Sequence, residues 1–207
     1  MTGPSASEPS ILLIADISGY TAFLRAVEQA HSDPDPGREP PAYRILGSLL
    51  DTVVQCLVPT FEVVQVEGDA IFARAPVSRL AGRADECIAL VRRAHADFKR
   101  QLAEAQHLHG HDCLACTILP TIDLKFIVHA GVAVPQRVAG ASLLAGQAVN
   151  VVHRMLKNDI VERMGLRSYV FMSDAAASAL GVAPDTGRRH VEGYPDVGSV
   201  SGAVVAI

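Results

Sequence analysis

Residues 10–21 read SILLIADISGYT, and the character of the chain changes at Asp16. Residues 10–15 form a continuous aliphatic run, which at this length predicts a strand that is buried on both faces. The polar stretch after it contains Gly19 and leads into a helix predicted over residues 21–30. The decisive unit of the fold is therefore a buried strand that ends in a carboxylate and continues into a helix.

The rest of the chain alternates helices and strands irregularly around a second polar turn. Glu67-Gly68-Asp69 separates two apolar stretches and has the chemistry of a β-hairpin turn. Apolar periodicity predicts helices at 43–57, 83–108, 144–156 and 174–180 and strands at 61–66, 70–73, 124–134, 169–172 and 201–207, where 124–134 is either one strand or a strand pair. This order predicts an α+β fold, with a mixed or antiparallel sheet and helices packed on one face.

Length and composition predict one globular domain over residues 10–207, after a disordered tail at 1–9. The chain has 207 residues and 49% of them are hydrophobic, which is enough for a core of its own. Its 18 basic and 22 acidic residues leave a net charge of −4, which argues against nucleic acid as a partner. No apolar run approaches the roughly 18 residues of a membrane span, and the polar start does not resemble a signal peptide. A cytoplasmic protein without membrane contact is expected.

Asp16 and Asp69 stand at the ends of two predicted strands. If those strands are neighbours, the two carboxylates meet at one edge of the sheet, where a Mg²⁺ or Mn²⁺ ion would resolve their repulsion. Free backbone N–H groups at the start of the following helix suit a phosphate. Each fragment alone also fits a purely structural role, with Asp16 as a helix cap and Gly68-Asp69 as a plain turn.

Asn150 and Arg154 are four residues apart on the predicted 144–156 helix, so they share one face. An amide and a guanidinium on one face suit a ribose and a transferring phosphoryl group. A solvent-exposed pair on an ordinary amphipathic helix has the same spacing. Lys125 and His129 are expected to be structural: Lys125 extends its ammonium from a strand to solvent, and His129 lies in the core or at the sheet edge.

Residues 107–116 read HLHGHDCLAC and form a His/Cys-rich insertion, with three of the chain's 8 histidines. A CxxC motif with a nearby histidine pair supplies four ligands for tetrahedral Zn²⁺, here His109, His111, Cys113 and Cys116. A solvated polar loop and a redox-active thiol pair are the alternatives. A bound zinc ion would clamp the loop between the long helix and the next strand.

Four segments match, in order, the motifs of one known family. Residues 14–21 (IADISGYT) are similar to its first metal motif, with Tyr20 where phenylalanine is usual, and residues 66–70 (VEGDA) are similar to its second. Residues 124–131 (LKFIVHAG) and 146–155 (GQAVNVVHRM) are similar to its His-x-Gly strand and its GxxVNxAxRM helix. Together they resemble the catalytic domain of class III nucleotide cyclases. With the CxxC segment, the chain also resembles an uncharacterised bacterial family of unknown function related to these cyclases.

The resemblance implies a ferredoxin-like α+β fold and a head-to-tail homodimer with shared sites at its interface. Asp16 and Asp69 would hold two Mg²⁺ or Mn²⁺ ions, while Asn150 and Arg154, contributed by the second subunit, would orient the ribose and stabilise the transition state. The implied reaction is attack of the ribose 3′-oxygen of a nucleoside triphosphate on the α-phosphate, with loss of pyrophosphate. The backbone N–H groups implied to cradle the triphosphate are those of Ile17, Ser18, Gly19 and Tyr20.

The two base-selecting positions depart from the family pattern. Gln65 stands where adenylate cyclases carry a lysine, and Leu143 stands where they carry aspartate or threonine. Gln65 can donate and accept hydrogen bonds, but Leu143 cannot. Two functions therefore stay open: a cyclase with unusual base selection, or a catalytically inactive regulatory module that binds a nucleotide or another ligand on the cyclase scaffold.

Overall fold

The structure, a computed structural model, describes residues 7–30, 41–183 and 185–207. Its strands are β1 (Glu8–Ser18), β2 (Glu62–Glu67), β3 (Ala70–Pro76), β4 (Asp123–Val138), β5 (Ala141–Ala145), β6 (Tyr169–Ser173), β7 (Arg188–Tyr194) and β8 (Gly198–Ala206). Its helices are α1 (Tyr20–Ala30), α2 (Pro41–Leu57), α3 (Val77–Leu80), α4 (Ala84–His109), α5 (Leu114–Ile118), α6 (Gln147–Met155), α7 (Ile160–Met164) and α8 (Asp174–Leu180), with a 3₁₀ turn at Leu119–Thr121. Within these ranges no helix combines the length and the apolar character that crossing a membrane requires.

The strand β1 lies inside a mixed sheet with the strand order β2-β3-β1-β4-β6-β8-β7, and β5 pairs with the far end of β4. β4 and β6 run parallel, while β1 is antiparallel to both of its neighbours. In this register Asp16 lies opposite Ala70 on β3 and opposite Lys125 on β4. β1 is therefore hydrogen-bonded to a neighbouring strand along both edges. The Asp16 position that follows its aliphatic run lies between β3 and β4.

Both faces of the sheet are buried, because the side chains of β1 alternate between two hydrophobic clusters. Ile11 and Leu13 face the larger helical layer, while Leu12 and Ile14 face α6 and α7. The predicted α+β fold with a mixed sheet is confirmed. The expectation of helices on one face describes the larger layer of α1–α5 and α8. α6 and α7 add a second layer, since the apolar side of α6, which includes Val152, is buried against the opposite face.

The element boundaries differ from the expected ones at short or polar edge strands. Residues 141–145 form β5 and do not open the helix expected at 144–156, because Gly146, at φ +132°, separates the strand from α6. β7 reads RRHVEGY, so it lacks the apolar alternation that would predict a strand. In the expected tail at 1–9, residues 1–6 lie outside the described residues, and Glu8 already belongs to β1.

Asp123 fastens the long helix α4 to the start of β4. Its carboxylate contacts His95 Nε2 at 2.8 Å and Lys99 Nζ at 3.5 Å, and it accepts the Leu124 N–H at 2.8 Å. Burial alone would raise the pKa of Asp123, but these contacts, together with a hydrogen bond from Ser168, hold that pKa well below its usual range. The ionised carboxylate therefore stabilises the packing of α4 against the sheet.

We expect Asp123→Asn to lower the free energy of unfolding at pH 7 by about 2 kcal/mol, because hydrogen bonds to a half-buried charge are lost. A depressed pKa contributes stability above the unfolded-state value of about 3.9, and this contribution is lost as the pH falls through the folded-state pKa. The difference between wild type and variant should therefore shrink below about pH 4. Urea unfolding at several pH values measures it, with the exposed Asp51→Asn as the matched control. A constant difference down to pH 2 would contradict the role of the charge.

Candidate functional site

Asp16 and Asp69 come together at one edge of the sheet. Asp69 ends the β2–β3 turn, which Gly68 allows with its left-handed φ of +59°. The Ile17 N–H donates to the Asp69 carbonyl oxygen at 3.1 Å, so the turn is fixed to the end of β1. Burial raises the pKa of Asp69, and the negative charge of Asp16 raises it further. The two carboxylates therefore form one electrostatically coupled pair, as the two strand ends predicted.

Lys125 forms an ion pair with Asp16. Its Nζ lies 3.1 Å from Asp16 Oδ2, and both side chains are only 17% exposed. Its positive charge also opposes the rise in the pKa of Asp69. The expectation that Lys125 extends to solvent is wrong, because the β1–β4 register places it directly opposite Asp16 on the face covered by α6.

The segment from Ile17 to Tyr20 leads from the carboxylate pair into α1. Gly19 has a φ of +88° and its carbonyl oxygen accepts the Phe23 N–H at 3.0 Å, which makes it the last residue before the helix. This is the first hydrogen bond of the helix. The N–H groups of the residues before Phe23 in α1 therefore have no partner within the helix. The Ser18 hydroxyl is buried and makes no hydrogen bond to the described residues. Burial raises the pKa of Tyr20, and the nearby charge of Asp69 adds to the shift.

Asn150 and Arg154 lie on the exposed side of α6, on one face as predicted. Arg154 Nη2 contacts Asp196 Oδ2 in the β7–β8 turn at 2.6 Å, and both side chains are largely exposed. Among the described residues, no hydrogen bond or ion pair joins Asn150 or Arg154 to the carboxylate pair of the same chain. His153 packs edge-on against Phe72 on β3, with ring centroids 5.0 Å apart, while α6 as a whole lies over β4 and β1.

Gln65 and Leu143 are both on the surface. Gln65 lies on β2, next to an irregularity in its pairing with β3, and Leu143 lies on β5 with 37% of its surface exposed. The Gln65 side chain is also exposed. A polar amide and an apolar side chain are therefore available where the cyclase motifs place base recognition.

The His/Cys-rich insertion folds back on itself. The ligand atoms of His111, Cys113 and Cys116 all lie within 4.8 Å of one another, and Cys113 Sγ caps α5 by accepting the Cys116 N–H at 3.4 Å. Cys116 Sγ lies 3.5 Å from His111 Nδ1, and burial raises the pKa of Cys116. His109 is the last residue of α4, and its side chain lies outside the described part of the chain. Three of the four predicted ligands are thus brought together, and the zinc site stays a prediction.

A second cluster was missed by the sequence analysis. Asp159, His190 and Glu192 bring three ligand atoms within 4.8 Å of one another on the face of the sheet that α6 covers. The signal in the sequence is the His-x-Glu spacing, which puts both side chains on one face of a strand. That signal is usable only once residues 188–194 are known to form β7.

Sequence comparisons match the chain to proteins of unknown function. A family model described as "Protein of unknown function (DUF2652)" matches residues 46–164, more than half of the chain. The "Uncharacterized protein Rv2561/Rv2562" of Mycobacterium tuberculosis is 29% identical over 135 residues, which span 65% of this chain and 60% of that protein. The match thus covers less than two thirds of the length of the relative.

Solved structures of nucleotide cyclases share the fold. The guanylyl cyclase Cya2 superposes with a TM-score of 0.67 at 12% identity, covering 99% of this chain and 95% of that one. The adenylyl cyclase CyaB from P. aeruginosa gives 0.65 at 11% identity, covering 98% and 96%. A bacterial light-regulated adenylyl cyclase gives 0.60 at 12% identity, covering 99% of this chain and 53% of that one. The expected cyclase-like fold is confirmed, and at these identities the likeness concerns the fold alone.

We expect the insertion to bind one metal ion through its thiolates. Titration with Co²⁺ should then produce thiolate-to-cobalt charge-transfer absorption, because cysteine sulfur is a strong ligand of such ions. Cys113→Ser and Cys116→Ser should each weaken this absorption strongly. Cys56→Ser is the matched control, because the Cys56 thiol donates a hydrogen bond to Asp97 on α4 and lies away from the insertion. Equal absorption in all four proteins, or none in the wild type, would return the insertion to a polar loop or a redox pair.

Proposed function

The chain belongs to the DUF2652 family of proteins of unknown function, and we propose that it is a metal-dependent nucleotide cyclase that acts as a homodimer. The observation that carries the proposal is the coupled pair of Asp16 and Asp69 beside the start of α1. In the proposed reaction the ribose 3′-oxygen of a nucleoside triphosphate loses its proton and bonds to the α-phosphorus. The bond from that phosphorus to pyrophosphate breaks, so a cyclic nucleotide and pyrophosphate are formed.

The carboxylate pair fits a divalent cation. Two coupled carboxylates balanced by a single lysine leave the cluster with a net negative charge, and hard oxygen ligands are those that Mg²⁺ and Mn²⁺ prefer. Asp16 and Asp69 would hold two such ions. When bound, these ions supply activation of the attacking oxygen and charge neutralisation on the leaving group. The unpaired N–H groups at the start of α1 would bind the phosphate oxygens.

Arg154 and Asn150 would serve the site of the second subunit. Both face outward from α6, so they are available to a partner chain rather than to their own carboxylates. Arg154 is held by Asp196 through an exposed ion pair, and such pairs contribute only about 0–1 kcal/mol. A nucleotide phosphate in the partner site would therefore displace Asp196 at small cost.

A second candidate function is supported by the ion pair between Lys125 and Asp16. An ammonium group 3.1 Å from the carboxylate already compensates part of the charge that a divalent ion would neutralise. With Leu143 in place of a polar base-reading residue, this pairing favours a regulatory module that binds a nucleotide without turnover. The two functions differ in whether the site needs a divalent ion, and this difference can be measured.

We expect the purified protein with Mn²⁺ to convert at least one of ATP, GTP, CTP and UTP into a cyclic nucleotide, detected by mass spectrometry. Asp69→Ala should abolish the product, and Arg154→Ala should reduce the rate on the order of 10²–10³-fold, as the loss of a transition-state donor does. Arg100→Ala is the matched control, because Arg100 makes a comparable exposed ion pair on α4. If folded wild type makes no product from any of the four, the cyclase proposal fails.

Lys125→Met separates the two candidate functions. If a divalent ion competes with the ammonium for Asp16, the variant should stay active and need roughly tenfold less Mn²⁺, which corresponds to about 1.4 kcal/mol of competing interaction. If Lys125 itself completes a metal-independent binding site, wild type should bind nucleotide in EDTA and the variant should not. Calorimetry with and without EDTA gives both readings, and Lys99→Met, which removes the longer lysine contact to Asp123, is the matched control.

A further inference from the structure

The edge strand β7 carries a histidine and a carboxylate that point at the segment between α6 and α7. His190 and Glu192 are two residues apart and therefore share one face of the strand. Asp159 lies immediately before α7 and faces them. His190 Nε2 is 3.2 Å from Glu192 Oε2 and 3.6 Å from Asp159 Oδ1. Three side chains from two distant segments thus converge on one point.

The convergence is held by contacts outside the point itself. The Asp159 N–H donates to Glu192 Oε2 at 3.1 Å, and Arg163 Nε binds Asp159 Oδ2 at 2.6 Å. The second contact occupies one carboxylate oxygen of Asp159, which leaves Oδ1 toward the histidine. The His190 ring is only 2% exposed and packs edge-on against Phe171, with ring centroids 5.2 Å apart. The three ligand atoms are therefore preorganised.

Two buried oxygen atoms on this face have no hydrogen-bond partner among the described residues. Asp159 Oδ1 and Tyr194 Oη are both buried and make no hydrogen bond to the described residues. Tyr194 is 7% exposed and follows Glu192 by two residues on β7, so its side chain lies on the same face of the strand. A buried polar atom without a hydrogen bond is costly, so Asp159 Oδ1 and Tyr194 Oη each have the capacity for a further contact on this face.

We propose that His190, Glu192 and Asp159 form a binding site for a transition-metal ion of the Zn²⁺ or Mn²⁺ class. The ligands would be His190 Nε2, Glu192 Oε2 and Asp159 Oδ1. One imidazole with two carboxylates suits these ions better than Ca²⁺ or Mg²⁺, which prefer oxygen ligands alone. The site is separate from Asp16 and Asp69 and contains no thiolate.

The ion would connect the edge strand to the segment that carries the proposed catalytic helix. β7 otherwise joins the sheet only through β8 in the described part of the chain. Asp159 follows α6 by four residues, and the β7–β8 turn holds Asp196, the partner of Arg154. A metal at this point would therefore hold the β7–β8 hairpin and α6 in one arrangement. This role does not depend on whether the chain cyclises a nucleotide.

Metal stoichiometry tests the site in the full chain. Wild type titrated with Zn²⁺ by calorimetry should bind one equivalent more than Glu192→Gln or Asp159→Asn, both of which keep the shape of the side chain. Glu62→Gln is the matched control, because Glu62 makes a single carboxylate contact with Arg74 on another strand. Loss of one equivalent in both variants and none in the control supports the site. Equal stoichiometry in all four folded proteins overturns it.

A second measurement needs no variant. The ring resonances of His190 can be assigned through their proximity to Phe171 and followed in wild type by NMR. Stepwise addition of Zn²⁺ should shift them, and Mn²⁺ should broaden them, in the presence of Mg²⁺ at a large excess. If His190 simply carries a proton shared between the two carboxylates, these resonances will respond to pH and not to either ion. That result overturns the proposal even if the variants fail to fold.

Discussion

The ionised side chain of Asp16 sets the main constraint on this fold. It follows the aliphatic run of residues 11–15 near the end of β1, which is paired along both edges, and its side chain is only 17% exposed. A charge in this position needs a nearby countercharge or strong hydrogen bonds. Lys125 supplies the countercharge from one neighbouring strand, while Asp69 adds a second negative charge from the other side. The edge of the sheet is therefore built around one unit of uncompensated negative charge.

This excess negative charge affects what can bind to the neighbouring start of α1. The start of α1 presents unpaired N–H groups beside the carboxylates, and the left-handed φ of Gly19 brings the chain around into the helix there. A phosphate alone would be repelled by Asp16 and Asp69, whereas a phosphate that arrives with divalent ions would be attracted to both features. Under the proposed function, the arrangement would favour a metal–nucleotide complex over a free anion, and the ion pair of Lys125 with Asp16 would oppose binding of the metal.

Much of the fold is contained in local patterns, and the site is contained in them only in part. The aliphatic run before Asp16, the turn at Gly68 and the periodicity of α4 predict their elements, because each depends on burial or on a backbone conformation set nearby. β5 and β7 were missed because strands at the margin of a sheet can fold without the alternation of apolar and polar residues that identifies a strand in a sequence. Lys125 was misjudged because its contact depends on strand register, and His190 meets Asp159 only through the tertiary fold. Residue type alone does not report such pairings.

The end of α6 and the segment that follows it both contact the β7–β8 hairpin. Arg154 reaches Asp196 in the β7–β8 turn, and five residues later Asp159 reaches His190 on β7. Both contacts reach the same hairpin, but the exposed pair of Arg154 with Asp196 is weak, whereas Asp159 contacts a buried histidine. An ion bound at the proposed Asp159 site would hold this hairpin in place, and with it the turn that carries Asp196. The guanidinium of Arg154, proposed for catalysis, would therefore be oriented in part by β7. This edge strand lies far along the sheet from the pair of Asp16 and Asp69.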